Sequence, residues 1–162
     1  MPTATGVLAI DHGTRKTGFA VADPLRIAVR ALETFRHPDR PERSGDGATA
    51  SGDEALHRRI EELCEERPIG TFLVGLPLNM DGSPSPRSTE VQAFAAALSE
   101  RHGGLPVVLW DERLTTKAAE DLLRAEGYRG KEISALRDSW AALVLLRDWI
   151  ESGEPASGTL GS

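Results

Sequence analysis

Three acidic residues of this chain occur where a folded protein normally places apolar side chains. Asp11 directly follows the apolar residues 7–10, and Glu112 comes just after a second apolar run at residues 107–110. Asp138 begins a helical pattern whose later residues on the same face are apolar. A carboxylate on a buried face is costly unless it is paired or binds a metal ion. Acids at the ends of two strands and on one helix therefore predict a metal site on a rigid scaffold.

Each of these acids also has a purely structural interpretation. Asp11 could cap the turn at Gly13, because aspartate favours such positions. Asp138 could be an acid in the first turn of a helix, where the helix dipole favours negative charge. Glu112 competes with Asp111, because neighbouring residues of a strand point to opposite faces.

The elements that would position these acids follow the order β-β-β-α-β-α-β-α-α. Strands are predicted at residues 7–11, 19–22, 27–35, 71–76 and 106–110, and helices at residues 51–66, around 91–98, at 115–126 and at 134–151. Ser51 and Glu54 have the spacing of a capping box at the start of the first helix. Short links between the first three strands favour antiparallel pairing, and the later αβ units favour parallel pairing. The prediction is an α/β fold with a mixed five-stranded sheet flanked by helices.

Length and composition indicate one globular domain. A chain of 162 residues with 40% hydrophobic content can build one core, which we place at residues 1–151. Residues 38–52 are predicted to be a mobile loop and residues 152–162 a disordered tail. One cysteine excludes an intramolecular disulfide, and no apolar run is long enough to span a membrane. These features predict a cytoplasmic protein without a membrane partner.

The net charge of −6 argues against strong non-specific binding to nucleic acid, but the charge is unevenly distributed. Residues 38–67 contribute −4 and residues 148–162 contribute −3, which leaves +1 for the rest of the chain. A polyanion could therefore bind locally, especially where divalent cations neutralise the acidic site. Aromatic residues are too few to predict a stacking platform, since Tyr128 is the single tyrosine.

Four sequence motifs occur in the order of a known family. The chain resembles the YqgF family, also called RuvX, of the ribonuclease H-like superfamily, over roughly residues 6–151. The motifs that carry the resemblance are DHGTRKTG at 11–18, VGLPLNMDGS at 74–83, DERLTT at 111–116 and DSWAA at 138–142.

The resemblance implies a metal-dependent nuclease, a hydrolase that acts on phosphodiester bonds. Its implied role is 5′-end processing of pre-16S ribosomal RNA in ribosome biogenesis, on structured RNA or within ribosomal particles. It implies that Asp11, Glu112 and Asp138 are the catalytic ligands of two Mg²⁺ or Mn²⁺ ions, and it favours Glu112 over Asp111. Two ions of this kind neutralise charge on the attacking and leaving oxygens of a phosphodiester, and both prefer oxygen ligands.

Two other functions remain open at this point. One is a Holliday junction resolvase, which would cut branched DNA and would normally act as a symmetric homodimer rather than a monomer. The other is a non-catalytic nucleic-acid-binding factor in ribosome assembly or transcription. The turn at residues 13–18 also resembles the phosphate loop of actin-like ATPases, but those enzymes need two such domains and this chain has room for one.

Two loops and the residues after Glu112 are predicted to contact the substrate. The alternatives are a solvated hairpin tip for Arg15 and Lys16, a structural role for Asn79, and a helix N-cap at Thr115 or Thr116. Gly75 is expected to permit a close approach of the backbone. The predicted contacts are Gly13, Thr14, Arg15, Lys16, Asn79, Arg113 and Thr115.

Overall fold

A computed structural model describes residues 5–38, 48–113 and 115–156 of the chain, without the side chains of residues 48–53, 116 and 138. The strands are β1 (Gly6–Asp11), β2 (Lys16–Ala22), β3 (Val29–Ala31), β4 (Phe35–Arg36), β5 (Ile69–Leu76) and β6 (Val107–Asp111). The helices are α1 (Ala48–Glu66), α2 (Pro86–Arg101), α3 (Thr115–Ala125) and α4 (Lys131–Glu151). No helix in the described residues is long and apolar enough to cross a membrane.

The strands form a mixed sheet in the order β3-β2-β1-β5-β6, and β4 pairs with β2 as well. β2 runs antiparallel to β1, β3 and β4, whereas β1–β5 and β5–β6 are parallel pairs. The predicted α/β class and mixed pairing are confirmed. The predicted number of five strands is wrong, because the part of the chain that the structure describes forms a sheet of six strands.

The extra strand arises from an irregularity in the predicted third strand. Ala20 pairs with Ala31 and Thr17 pairs with Phe35, so the partner strand contains one more residue than β2 between these two pairs. An extra residue on one strand breaks the ladder, as in a β-bulge. Residues 27–35 are therefore divided between β3 and the start of β4 instead of forming one strand.

Alternating strand residues build a separate apolar core on each face of the sheet. One cluster packs beneath α1 and α2 and includes Ile10, Leu56 and Val74. The other includes Ala9 and residues of α4, and α3 in turn packs against α4. Ala9 and Ile10 thus face opposite sides of the sheet, which is the period-two pattern that a strand buried on both faces requires.

Two helices begin earlier than predicted. α1 starts at Ala48, so Ser51 lies inside the helix and the predicted capping box is wrong. Residues 48–52 are consequently helical and not part of a loop, and alanines 48 and 50 favour this extension. The remainder of the predicted loop, residues 39–47, lies outside the described residues. α4 starts at Lys131 because Gly130, with φ of 55°, ends the preceding turn there.

The segment after α4 is attached to the body of the protein as far as the structure describes it. The guanidinium of Arg26 donates to both carboxylate oxygens of Glu154, at 2.8 and 3.0 Å. The indole of Trp149 donates to the carbonyl of Pro155 at 2.9 Å. Residues 152–156, which the sequence placed in a disordered tail, therefore pack onto the fold, and residues 157–162 lie outside the description.

Candidate active site

Three neighbouring strands bring Asp11 and Glu112 to the same edge of the sheet. Ile10 of β1 lies opposite Val74 of β5, and Leu76 of β5 lies opposite Asp111 of β6. The backbone of Glu112 continues this ladder, because its N–H donates to the carbonyl of Leu76 at 3.2 Å. The carboxyl ends of parallel strands in such sheets form the usual ligand-binding edge. Asp11 and Glu112 therefore flank the end of β5 from its two sides.

Strand alternation points both side chains toward the face that α4 covers. Ala9 on β1 and Trp110 on β6 belong to the core cluster that α4 closes. Asp11 lies two residues after Ala9, and Glu112 lies two residues after Trp110, so both acids project to that same face. This register explains why Glu112, and not its neighbour Asp111, approaches Asp11.

Gly75 leaves the space through which Glu112 reaches Asp11. A Cβ atom added to Gly75 would lie 2.7 Å from Oε2 of Glu112 and 3.2 Å from a side-chain methyl of Leu145. Any side chain here would occupy the position of the carboxyl group. The expected close approach at Gly75 is therefore made by the Glu112 side chain, which lies across β5.

The Asp11 and Glu112 carboxyl groups form a hydrogen-bonded pair. Burial, followed by the charge and the hydrogen bond of Asp11, raises the pKa of Glu112 to about 9, while the positive charge of Arg87 partly opposes this shift. At neutral pH the protein groups alone therefore keep a proton on Glu112, because two adjacent carboxylates repel each other. A divalent cation would relieve the same repulsion. Paired carboxylate oxygens are also the ligands that Mg²⁺ and Mn²⁺ prefer, so this pair fits such an ion.

The third predicted acid lies on α4, the helix that covers this face. The backbone of Asp138 is helical, but its side chain lies outside the described residues, so its role as a ligand stays a prediction. Among the side chains that the structure does describe, no group of three His, Cys, Asp or Glu residues could hold a metal ion. Next to Asp138, Ser139 is buried, and its hydroxyl contacts the hydroxyl of Thr34 on the β3–β4 connection.

Asp111 is engaged by Arg113 and makes a separate ion pair. The Arg113 backbone N–H donates to Oδ1 at 2.9 Å, and its Nε and Nη2 lie 2.7 and 2.6 Å from Oδ2. Partial burial would raise the pKa of Asp111, but these hydrogen bonds and the charge of Arg113 outweigh it and lower that pKa. Asp111 therefore fixes the loop after β6 and does not join the pair formed by Asp11 and Glu112.

Three of the predicted substrate contacts hold loop structure instead. The amide of Asn79 donates to Ser83 Oγ at 2.9 Å and to the carbonyl of Pro84 at 3.0 Å. Arg113, besides its ion pair, donates to the carbonyl of Met80 at 3.1 Å. The hydroxyl of Thr115 is buried and donates to the carbonyl of Glu112 at 2.8 Å. These contacts favour the structural alternative for Asn79 and make Arg113 the link between two loops. Thr115 is the first residue of α3 and its hydroxyl donates to a carbonyl, so it does not act as the predicted helix N-cap.

The other predicted contacts lie in the turn between β1 and β2, beside Asp11. A Cβ atom on Gly13 would come within 2.2 Å of the carbonyl oxygen of Lys16, so only glycine fits this turn. Thr14 and Arg15 are exposed, and Lys16 begins β2. The turn therefore places two cationic side chains at the sheet edge that carries the carboxyl pair.

Arg87 is a residue of this region that sequence reasoning missed. It lies in the first turn of α2, after the N-cap Ser85, and its Nη2 donates to the carbonyl of His12 at 2.7 Å. Its charge lies close enough to lower the pKa of Glu112. One signal was present in the sequence, because a cation in a first helical turn opposes the helix dipole and suggests another purpose.

Comparisons with known proteins agree with the motifs. The family model described as "RuvX: Holliday junction resolvase" matches residues 5–152. A protein of Lachnospira eligens named "Putative pre-16S rRNA nuclease" is 37% identical, and the match covers 90% of this chain and 96% of that protein. Proteins of the same name from Geobacillus kaustophilus and Bacillus subtilis are 38% and 34% identical, covering 90% of this chain and 96% and 97% of theirs.

Solved structures agree with the predicted fold. RuvC of Thermus thermophilus in complex with a Holliday junction substrate aligns with a TM-score of 0.56 and 17% identity, over 93% of this chain and 97% of that one. Another Thermus thermophilus RuvC structure aligns with a TM-score of 0.53 and 16% identity, over 91% and 96% of the two chains. At these identities the likeness shows the fold alone, and that fold is ribonuclease H-like.

Proposed function

This chain belongs to the RuvX family, and on that premise we propose that it is a divalent-metal-dependent nuclease that processes the 5′ end of pre-16S ribosomal RNA in the cytoplasm. The enzyme class follows from the family, whose members hydrolyse phosphodiester bonds. The metal, the substrate and the catalytic residues are the parts that we propose.

The carboxyl pair of Asp11 and Glu112 is the observation that supports this function best. Two acids meet at the ligand-binding edge of the sheet, on the face covered by α4, and Gly75 provides the space for their contact. A stable fold gains nothing from two adjacent, half-buried acids, because each raises the cost of ionising the other. Such a site is a common sign of function.

Asp11 and Glu112 would hold Mg²⁺ or Mn²⁺, and Asp138 on α4 would complete the ligand set. When bound, these ions supply charge neutralisation at the attacking and leaving oxygens of the phosphodiester. Glu112 must lose its proton to become a ligand, and the nearby charge of Arg87 favours that ionised form.

The protein groups around the pair would orient and bind the nucleic acid. Arg15 and Lys16, in the turn next to Asp11, would contact phosphates, together with the backbone of Gly13 and Thr14. Arg113, Asn79 and Thr115 would act indirectly, because their observed contacts hold the two loops beside Glu112. The small number of cations in this region limits how many phosphates it neutralises, so binding should weaken steeply as salt is added.

The substrate is proposed from the relatives and not from the geometry of the site. The three relatives described above are 34–38% identical to this chain, and each is named "Putative pre-16S rRNA nuclease". A second candidate, cleavage of four-way DNA junctions, is favoured by the description of the family model and by the fold that the chain shares with RuvC. Both substrates need the same chemistry at the phosphodiester.

Side-by-side cleavage assays test the proposal. The substrates are a 5′-extended 16S precursor RNA and a four-way DNA junction, each with Mn²⁺ or Mg²⁺ at low salt. Wild type is compared with Asp11→Asn, and Asp23→Asn is the matched control because Asp23 lies at the opposite end of β2. We expect RNA cleavage that Asp11→Asn abolishes and Asp23→Asn preserves.

Each other outcome selects a different function. Cleavage of the junction with intact RNA would replace the ribosomal substrate by branched DNA. Failure to cleave either substrate, with RNA still bound by the folded protein, would favour the non-catalytic binding factor. Equal activity of wild type and Asp11→Asn would refute the proposed metal site.

A further inference from the structure

A cavity of about 370 Å³ lies between the second half of α3 and the first half of α4, outside the carboxyl pair. Pockets of this size accommodate small molecules or parts of larger ligands. Its lining includes cationic, hydroxyl and aromatic side chains, which are the groups that bind the phosphate and the base of a nucleotide. The cations are concentrated here although the net charge of the chain is −6. The residues that matter are Glu120, Arg124, Tyr128, Arg129, Ser134 and Arg137.

The lining is strongly cationic. Three guanidinium groups face one carboxylate, which gives the cavity a formal charge of +2. The contacts that these groups make within the protein are long: Arg137 Nη1 lies 3.5 Å from Glu120, and Arg124 Nη1 lies 3.4 Å from Asp121. The Arg124 pair is exposed and the Arg137 pair is partly buried, and ion pairs as long as these are weak and exchangeable. A phosphate could therefore take over these donors, with the short charge-assisted hydrogen bonds that arginine forms to phosphate oxygens.

An aromatic ring lines the same cavity. Tyr128 follows Gly127, whose φ of 98° turns the chain at the end of α3, and the Tyr128 N–H donates to the carbonyl of Leu123 at 3.0 Å. Its ring meets the ring of Trp140 edge-on, with centroids 6.1 Å apart. A tyrosine fixed at both its backbone and its ring offers a prepared surface on which a base can stack. Tertiary structure thus brings together aromatic and cationic groups that are scattered in the sequence.

The cavity is lined by the same part of α4 that carries Asp138, the proposed third metal ligand. Arg137 directly precedes Asp138, and Ser134 lies four residues before Asp138, which is about 6 Å or slightly more than one turn along α4. The cavity and the proposed ligand position at Asp138 therefore share the first half of α4.

We propose that the cavity between α3 and α4 is a subsite for one unpaired nucleotide of the substrate strand. The arginines bind its phosphate and Tyr128 stacks on its base. This inference rests on the proposed nuclease function for its ligand, but it concerns binding only and needs no divalent metal. It also assigns the subsite to a single strand, because stacking on Tyr128 requires a base that is free of its duplex neighbours.

The 162-residue chain contains a single tyrosine, which allows a direct test. Protein labelled with 3-fluorotyrosine has one ¹⁹F resonance, from residue 128, and a single-stranded RNA hexanucleotide is titrated into it with EDTA present. We expect a saturable shift of that resonance. Arg129→Gln should weaken the binding about tenfold, and the matched control Arg58→Gln, exposed on α1, should not change it. A duplex of the same sequence should produce a much smaller shift.

Variants of Tyr128 separate stacking from a structural role. Tyr128→Phe should bind the hexanucleotide like wild type, while Tyr128→Ala should bind it several-fold more weakly. Binding is measured well below the melting temperature of each variant, because losing the contact with Trp140 should also lower that temperature. An unmoved ¹⁹F resonance while the RNA binds elsewhere, or equal binding by Arg129→Gln and Arg58→Gln, would overturn the subsite. A single-stranded DNA hexanucleotide should shift the resonance as well, because the proposed contacts are to a phosphate and a base and include none to the 2′-hydroxyl group.

Failure of the proposed function would look different from failure of the subsite. If no substrate is cleaved but the hexanucleotide still shifts the resonance, the subsite stands without the nuclease. If RNA is cleaved with wild-type KM by Arg129→Gln, the nuclease stands and the subsite is refuted.

Discussion

Replacing Gly75 by alanine should disable the carboxyl pair while leaving every acid in place. The new Cβ atom would lie 2.7 Å from Oε2 of Glu112, whereas ordinary contacts begin at 3.4 Å, so the carboxyl must retreat by about 0.7 Å. The Leu145 methyl at 3.2 Å limits movement on the α4 side. Displacements approaching 1 Å at a catalytic group cost about 10²-fold in rate, so we expect a loss of about that size. Overpacking of this kind should also lower the free energy of unfolding by about 1–3 kcal/mol.

Single-turnover cleavage of the precursor RNA with Mn²⁺ measures the rate, and thermal unfolding in EDTA measures the stability. The control is the double variant Gly75→Ala/Glu112→Asp, whose shorter acid withdraws the carboxyl from the new methyl group. It should recover stability relative to Gly75→Ala alone, because the contact has been removed from the opposite side. Full activity of Gly75→Ala would refute the view that Glu112 must cross β5 to meet Asp11.

The remaining predictions concern charge around the pair. The pKa of Glu112 is about 9 in the folded protein, against 4.5 as its ordinary value, so the stability it contributes is fully present below about pH 4.5 and is lost as the pH rises toward 9. Glu112→Gln should therefore raise the unfolding free energy of the metal-free protein by up to about 4 kcal/mol at pH 8 and leave it nearly unchanged at pH 4. Calorimetry that shows the same change at both pH values would contradict this. Asp111→Asn should lower the rate of RNA cleavage by no more than about tenfold, because Asp111 anchors Arg113. Asp11→Asn should lower that rate by at least about 10³-fold. Equal losses in matched assays would mean that both acids are metal ligands. Arg87→Gln should move the rising part of the pH–rate profile to higher pH, since its positive charge lowers the pKa of Glu112, and an unmoved profile would show that the charge is screened.

Local patterns in the sequence were sufficient for the element types and for the candidate acids. A strand buried on both faces is a continuous apolar run, so an acid at its end, such as Asp11, is visible without a structure. The same local reasoning failed at the boundaries. It joined β3 to β4, because a one-residue bulge leaves the composition of the run unchanged, and it placed a helix start at Ser51, because a capping pattern can also occur within a helix.

Contacts between distant segments required the folded chain. Asp11 and Glu112 are about a hundred residues apart, and they meet because β5 is inserted between β1 and β6 in the sheet. Strand order of this kind depends on how the helices cover both faces, and no short window of sequence contains that information. Arg87 was missed for the same reason, since its contact with His12 joins α2 to the end of β1.

The sequence by itself thus determined which residues are candidates for the chemistry, because residue type and apolar periodicity are local properties of the chain. Only the tertiary structure decided how those residues combine. It placed Glu112, the acid that the family resemblance favours, beside Asp11 through the register of β6, and it left the space at Gly75 for their contact. It also assembled Tyr128 with three arginines from α3, α4 and the turn between them. Proximity depends on packing and register, and these are properties of the whole fold.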